Sequence, residues 1–149
     1  MGLKIKKLSN SSYEIYCKKL KSIKKISTKE FPGYPTDLQA QLIATQLKSG
    51  LKSKVVENIF ENRFIHIPEL RRFGANLSIK GNTVTIDKTS NLQGAEVMAT
   101  DIRASFSLII AAMMSKGKTV INRIYHLDRG YEDFDLKLKK CGVNISRKK

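Results

Sequence analysis

The chain repeats itself, and that self-similarity constrains its fold more than any other feature of the sequence. Thr36, Asp37 and Ala40 recur as Thr100, Asp101 and Ala104. Ile59 and Phe60 recur as Ile124 and Tyr125, and GANLS from Gly74 recurs as GVNIS from Gly142. Each unit is about 65 residues long. In the second copy Ile102, Phe106, Ile109, Ile110, Met113 and Met114 follow the three-and-four spacing of an amphipathic helix, with Gly117 as its stop and both methionines facing a core. The first copy matches it with Leu38, Leu42, Ile43 and Leu47 ahead of Gly50. A short β-branched strand comes next in each, KVVENIF or TVINRIY, leading into a polar turn that holds Arg63 or Arg129. A second helix follows, with Pro68 in its first turn in one copy and Phe134 and Leu138 on one face in the other. Gly74 and Gly142 end these helices. LSIKGNTVTID then alternates apolar and polar residues around Lys80, Gly81 and Asn82, the pattern of a hairpin.

The unit is therefore strand, helix, strand, helix and hairpin, which predicts an α/β fold of helices packed on mixed sheets. The opening GLKIKK resembles the GANLSI that closes the first unit, and a second strand falls near Tyr13 to Cys17. Residues 1–30 thus read as the end of a preceding unit and residues 31–149 as two tandem βαβαββ units. The alternative is a basic hairpin added to a complete two-unit domain.

Composition narrows the class. At 149 residues with 41% apolar and 28% charged side chains, one compact domain is expected. Met1 is followed by a polar, Lys-rich stretch rather than an apolar leader, and no apolar run approaches the roughly 18 residues of a membrane span. A cytoplasmic protein without a membrane anchor is the expectation. The net charge of +15 raises the possibility of nucleic-acid binding. Its distribution argues against that, because nine lysines crowd between Lys4 and Lys29 and the middle of the chain is nearly balanced. Lysines outnumber arginines 21 to 7, whereas phosphate and base readout favours the arginine fork. Cys17 and Cys141 are too few and too far apart for a disulfide framework, and read as ordinary buried or half-buried thiols.

Both copies place an Asp at a helix start and an Arg just after a strand, where loops at strand C-terminal ends hold ligands. Asp37 and Asp101 are consistent with plain N-caps, the commoner role of Asp after Thr. Arg63, Arg103 and Arg129 lie in the least lysine-rich part of the chain. Their guanidiniums suit a carboxylate or phosphate ligand, or equally an internal pairing with a neighbour such as Asp101 or Asp128. His66 and His126 have no third ligand at metal spacing, and there is no phosphate loop, dinucleotide fingerprint or nucleophile elbow. No metal or cofactor is expected.

Four segments taken together, PTDLQAQ (Pro35 to Gln41), IFENRFIHIPELRRFGA (Ile59 to Ala75), VMATDIRAS (Val97 to Ser105) and RIYHLDRGYE (Arg123 to Glu132), resemble the UDP-N-acetylglucosamine enolpyruvyl transferases. The resemblance runs in order from about Gly33 to the C-terminus; residues 1–30 match in pattern only. It implies βαβαββ units of an inside-out α/β barrel. It also implies transfer of the enolpyruvyl group of phosphoenolpyruvate to the sugar 3-hydroxyl of UDP-N-acetylglucosamine, the step that begins peptidoglycan synthesis. On that resemblance Asp37 matches the carboxylate that acts as base beside the hydroxyl, and Ile59 a contact to the uridine nucleotide. Arg63, Arg103 and Arg129 match arginines around phosphoenolpyruvate and the tetrahedral intermediate, with Asp101 positioning those arginines or the intermediate. Phe106 stands where the family pattern has a small residue. The family's general-acid Cys and early Lys-Asn pair lie upstream of the matching region, and neither Cys17 nor Cys141 replaces that Cys. The resemblance therefore covers about a third of such an enzyme, and implies a chain inactive alone that needs a separately encoded N-terminal portion as partner, or a degraded copy.

Overall fold

The structure is a computed structural model, and it describes residues 2–148. Its first unit follows the predicted order. Strand β3 (Lys25–Ser27) runs parallel to β4 (Ser53–Val56), and the crossover between them carries a 3-10 turn (Thr36–Leu38) and helix α1 (Gln39–Gln46). Helix α2 (Ile67–Arg72) follows, with Pro68 in its first turn and Gly74 beyond its end at φ +82°. The hairpin of β5 (Leu77–Lys80) and β6 (Thr83–Ile86) then completes a four-stranded sheet in the order β3-β4-β6-β5. Gly81, at φ +56°, opens the two-residue turn between them. Because β3 joins this sheet, the first unit begins before residue 30 and reaches back across the expected boundary.

The second unit starts alike. Strand β7 (Glu96–Met98) runs parallel to β8 (Val120–Asn122), with helix α3 (Ile102–Met114) between them. Two short helices follow, α4 (Tyr125–Asp128) and α5 (Phe134–Lys140). No closing hairpin forms among the described residues: the GVNIS segment has no strand structure, although Ile145 packs onto a small core of Ile109, Leu127 and Phe134. In the first unit β6 supplies both edges that β5 and β4 need, and the GVNIS segment has no such partner. The second unit is thus βαβ with two helices rather than a full βαβαββ repeat.

Both predicted strands stop earlier than their apolar runs. KVVENIF leaves the ladder at Glu57, whose carboxylate accepts the N–H groups of Ile59 and Phe60 and turns the chain. TVINRIY ends at Arg123, which adopts a left-handed backbone (φ +58°) that no strand tolerates, and Tyr125 opens α4 instead of continuing.

Helices α1 and α3 pack against each other, and both carry buried alanines, Ala44 on α1 and Ala104 and Ala111 on α3. Around them Ile43, Ile67, Leu70, Phe73, Val84, Ile86 and Leu108 form the main core. Met114 packs against it, whereas Met113 is half exposed and does not serve as core. Cys17 is half-buried as expected, but Cys141, which follows α5 at the surface, is exposed. Phe106 finds room by stacking on Tyr131 with ring centroids 4.5 Å apart.

The first hairpin, β1 (Lys4–Lys7) with β2 (Tyr13–Tyr16), stands apart as its own two-stranded sheet, and every strand residue is exposed. No helix of the described residues is long and apolar enough to cross a membrane.

Candidate functional site

The repeat places Asp37 and Asp101 in equivalent positions, yet their side chains act differently. Asp101 is the N-cap of α3: its Oδ1 accepts the backbone N–H groups of Arg103 and Ala104 at 2.8 and 2.9 Å. Replacing it with alanine orphans those donors and should destabilise the chain by about 1 kcal/mol, readable as a shift in the urea midpoint. Asp37 caps nothing. It lies inside the 3-10 turn, where no side-chain cap bond forms, and its carboxylate points out to two arginines.

Those arginines come from two different units. Arg63 Nη2 donates to Asp37 Oδ1 at 2.6 Å, and Arg103 Nη1 donates to the same oxygen at 2.9 Å. Asp37 Oδ2 has no protein partner among the described residues. Arg103, at the second position of α3, also lies with Nε 3.9 Å from Asp101 Oδ1, so the cap residue and the arginine it precedes share one corner. Arg63 stands on the turn after Asn62, whose backbone is left-handed (φ +52°), and lies over the Phe60 ring at 4.5 Å. Its side chain is only 15% exposed against 67% for Asp37, so the guanidinium forms the floor of the site and the carboxylate its open side.

The electrostatics follow from that geometry. The hydrogen bond from Arg103, opposed by partial burial and reinforced by the charges of both arginines, holds the Asp37 carboxyl below the usual carboxylate range. Two guanidiniums share one oxygen of Asp37, and with Asp101 beside Arg103 the formal charges of the four side chains balance. A ligand carboxylate or phosphate that takes these guanidinium hydrogen bonds over from Asp37 could be gripped bidentately. Tyr34 steadies the turn from below, its hydroxyl donating to the Leu38 carbonyl at 2.9 Å, and burial pushes its pKa up to about 12.

The family described as EPSP synthase (3-phosphoshikimate 1-carboxyvinyltransferase) matches residues 1–138. The chain belongs to the EPSP synthase family. It is 56% identical over 130 residues to the UDP-N-acetylglucosamine 1-carboxyvinyltransferase of Pelagibacter ubique (strain HTCC1062), a match covering 87% of this chain and 31% of that protein. The protein of the same name from Rickettsia prowazekii (strain Madrid E) is 47% identical over 146 residues, covering 98% of this chain and 35% of the relative. The chain therefore spans about a third of the length of these relatives, and corresponds to their C-terminal part. Among solved structures it resembles the enolpyruvyl transferase NikO from Streptomyces tendae, with TM-score 0.84, 25% identity, and 98% of this chain against 34% of that one. The EPSP synthase of Acinetobacter baumannii shares the fold at TM-score 0.70 and 16% identity.

Of the residues that the sequence singles out in this EPSP synthase family chain, the fold brings Asp37, Arg63, Arg103 and Asp101 together. Ile59 is half-buried on the turn that leads to Arg63. Arg129 ends α4 as an exposed side chain that makes no hydrogen bond or ion pair with the described residues. Arg147, rather than Arg63, Arg103 or Arg129, pairs with Asp128, and it also reaches Asp135. Those two acids border a separate cavity of about 530 Å³ with Glu132 and Asp133, whose charge is unsuited to a phosphate. Of two further groups at or beside the site, the sequence reading missed Glu57 and considered His66 only as a metal ligand. Glu57 is 2% exposed and hydrogen-bonds to the turns on either side of the cluster. His66 is 1% exposed, with no partner for its Nε2 among the described residues. An acid one residue beyond a β-branched strand was the available signal for Glu57; nothing in the sequence marks His66 as buried. Among the described residues no group of three or more His, Cys, Asp and Glu is placed to hold a metal ion.

Proposed function

We propose that this chain is the C-terminal portion of a UDP-N-acetylglucosamine 1-carboxyvinyltransferase, which transfers enolpyruvyl from phosphoenolpyruvate to the sugar 3-hydroxyl in the cytoplasm at the start of peptidoglycan synthesis. The observation that carries this reading is the convergence on Asp37 Oδ1 of two arginines from different repeat units, with the second carboxylate oxygen left open. Asp37 is the base that orients and deprotonates the attacking hydroxyl. Arg63 and Arg103, joined by Arg129, bind the carboxylate and phosphate of phosphoenolpyruvate and the charge of the tetrahedral intermediate. Asp101 fixes the start of α3 and with it Arg103, while Ile59 contacts the uridine nucleotide.

Charge exchange links binding to chemistry. A ligand phosphate or carboxylate competes with Asp37 for the guanidiniums. As they turn to the ligand, the forces that depress the Asp37 carboxyl weaken and it becomes a stronger base for the hydroxyl beside it.

The chain alone is expected to bind but not to turn over, because the relatives' other two thirds supply the rest of the site. The β1–β2 hairpin supports a partner of that kind. Ile5 and Ile15 pair across it, on the same face as Tyr13, and all three are more than half exposed. A face of this composition on an isolated two-stranded ribbon is marginal in water and gains by being covered. The upstream portion of the transferase is the occupant we assign to it.

The reading is tested by mixing the purified chain with the separately produced upstream portion of the Rickettsia prowazekii relative, UDP-N-acetylglucosamine and phosphoenolpyruvate, and following phosphate release. Release only from the mixture is the expected result. No release from a mixture whose components are both folded and form a complex would exclude the transferase reading.

A further inference from the structure

Glu57 is buried to a depth that acidic side chains occupy only when their oxygens are satisfied, and among the described residues no cation pairs with it. Four donors satisfy it instead. Its Oε1 accepts the Thr28 hydroxyl at 2.8 Å and the N–H groups of Ile59 and Phe60 at 2.9 and 3.2 Å; its Oε2 accepts the Thr36 hydroxyl at 2.8 Å. Burial by itself would raise the carboxyl's pKa, but the Ile59 N–H, the Thr36 and Thr28 hydroxyls and the Phe60 N–H together hold it below the ordinary value, so it is ionised at neutral pH.

These donors belong to three separate stretches of chain. Thr28 follows β3, Thr36 immediately precedes Asp37, and Ile59 and Phe60 begin the turn that ends at Arg63. Thr28 strengthens the junction by accepting the Asn58 N–H at 2.9 Å. Neither Asp37 nor Arg63 is held by a regular ladder or a helical cap, so their relative placement depends on what joins these two turns.

We propose that Glu57 is a positioning residue of the anion site, tying the Asp37 turn to the Arg63 turn so that carboxylate and guanidinium face the same ligand. The assignment rests on the reading of Asp37 and Arg63 as ligand-binding groups, and it extends that reading to a residue that touches neither ligand. The chemistry also predicts which substitution is tolerated. Glutamine can keep a carbonyl where Oε1 accepts three bonds, and its amide can donate to the Thr36 oxygen, so Glu57→Gln should preserve the junction. Alanine removes every link. Thr36→Val removes only the link to the Asp37 turn and leaves the other three donors in place.

The test uses the full chain and its Glu57→Gln, Glu57→Ala and Thr36→Val variants, with the Asp37 carboxyl carbon followed by NMR as a function of pH. Arg63 and Arg103 are the charged groups that face Asp37. In the unsubstituted chain and Glu57→Gln the midpoint is expected to stay below the usual carboxylate range. In Glu57→Ala and Thr36→Val it should move up toward that range as the turn detaches from the guanidiniums. Loss of melting temperature alone does not move this midpoint, and Thr36→Val keeps the test available if Glu57→Ala fails to fold. An Asp37 midpoint unchanged in Thr36→Val overturns the assignment. Calorimetry with UDP-N-acetylglucosamine on the same samples reports on the underlying reading: binding by the unsubstituted chain should weaken about 10- to 100-fold in Thr36→Val if misplacement matters as it does at ordered sites. Absence of binding by the unsubstituted chain would count against the ligand site, while the titration still decides what positions Asp37.

Discussion

Asp37→Ala in the assembled transferase should lower turnover by roughly 100- to 10,000-fold, the range that a positioned general base contributes. Asp37 Oδ1 is committed to Arg63 and Arg103, and the unpartnered Oδ2 is the atom available to a hydroxyl. The substitution removes that acceptor and frees two guanidiniums for a ligand anion. Affinity for phosphoenolpyruvate should therefore hold or rise while the rate collapses, and single-turnover measurements separate the two effects. Asp37→Asn should keep the hydroxyl oriented but not deprotonate it, leaving a rate nearer to alanine than to the unsubstituted assembly. Turnover of Asp37→Ala within about tenfold of the unsubstituted assembly would remove the base role and leave Asp37 as a counter-ion for the arginines.

The second large effect concerns stability in acid. His66 occupies the N-cap position of α2 at 1% exposure, and burial, opposed only by the charge of Asp101, lowers its pKa from 6.5 to about 4. The unfolded chain therefore binds the proton more readily than the folded one. Stability is full above the ordinary histidine value, falls as pH drops from about 6.5 toward 4, and loses nothing further to this group below that. At pH 4.5 the loss from His66 is about 2.5 kcal/mol. Urea unfolding of the unsubstituted chain and His66→Leu at pH 7 and pH 4.5 isolates it, because the carboxylates titrate in both. The unsubstituted chain should lose more stability than the variant by roughly that amount. Equal losses would mean that His66 reaches solvent in the folded chain.

How much of this was legible beforehand depends on range. Local signals were sound: Pro68 starts α2, Gly74 and Gly142 follow helix ends, Asp101 caps α3, and Gly81 turns a hairpin. Each depends on a few neighbouring residues whose backbone demands are written in their side chains. Repetition in sequence, however, overstated repetition in structure. Asp37 and Asp101 align, yet only Asp101 caps a helix, because only there do the backbone donors of the next turn lie within reach of the carboxylate. The GVNIS segment aligns with a strand and remains irregular, because a strand is stable only beside a partner.

By itself the sequence determined the order of helices and strands in the first unit, the α/β class, the family and the residue types at the candidate site, since periodicity, punctuation and motif are properties of consecutive residues. Only the tertiary structure decided that Asp37 faces two arginines from different units, that Arg129 pairs with no carboxylate among the described residues, and that buried Glu57 joins the turns between. Those relations span 26 and 66 residues for the Asp37 pairs. Charges that far apart along the chain meet through the packing of α1 on α3 and the sheet beneath, and no local pattern encodes the distance between them.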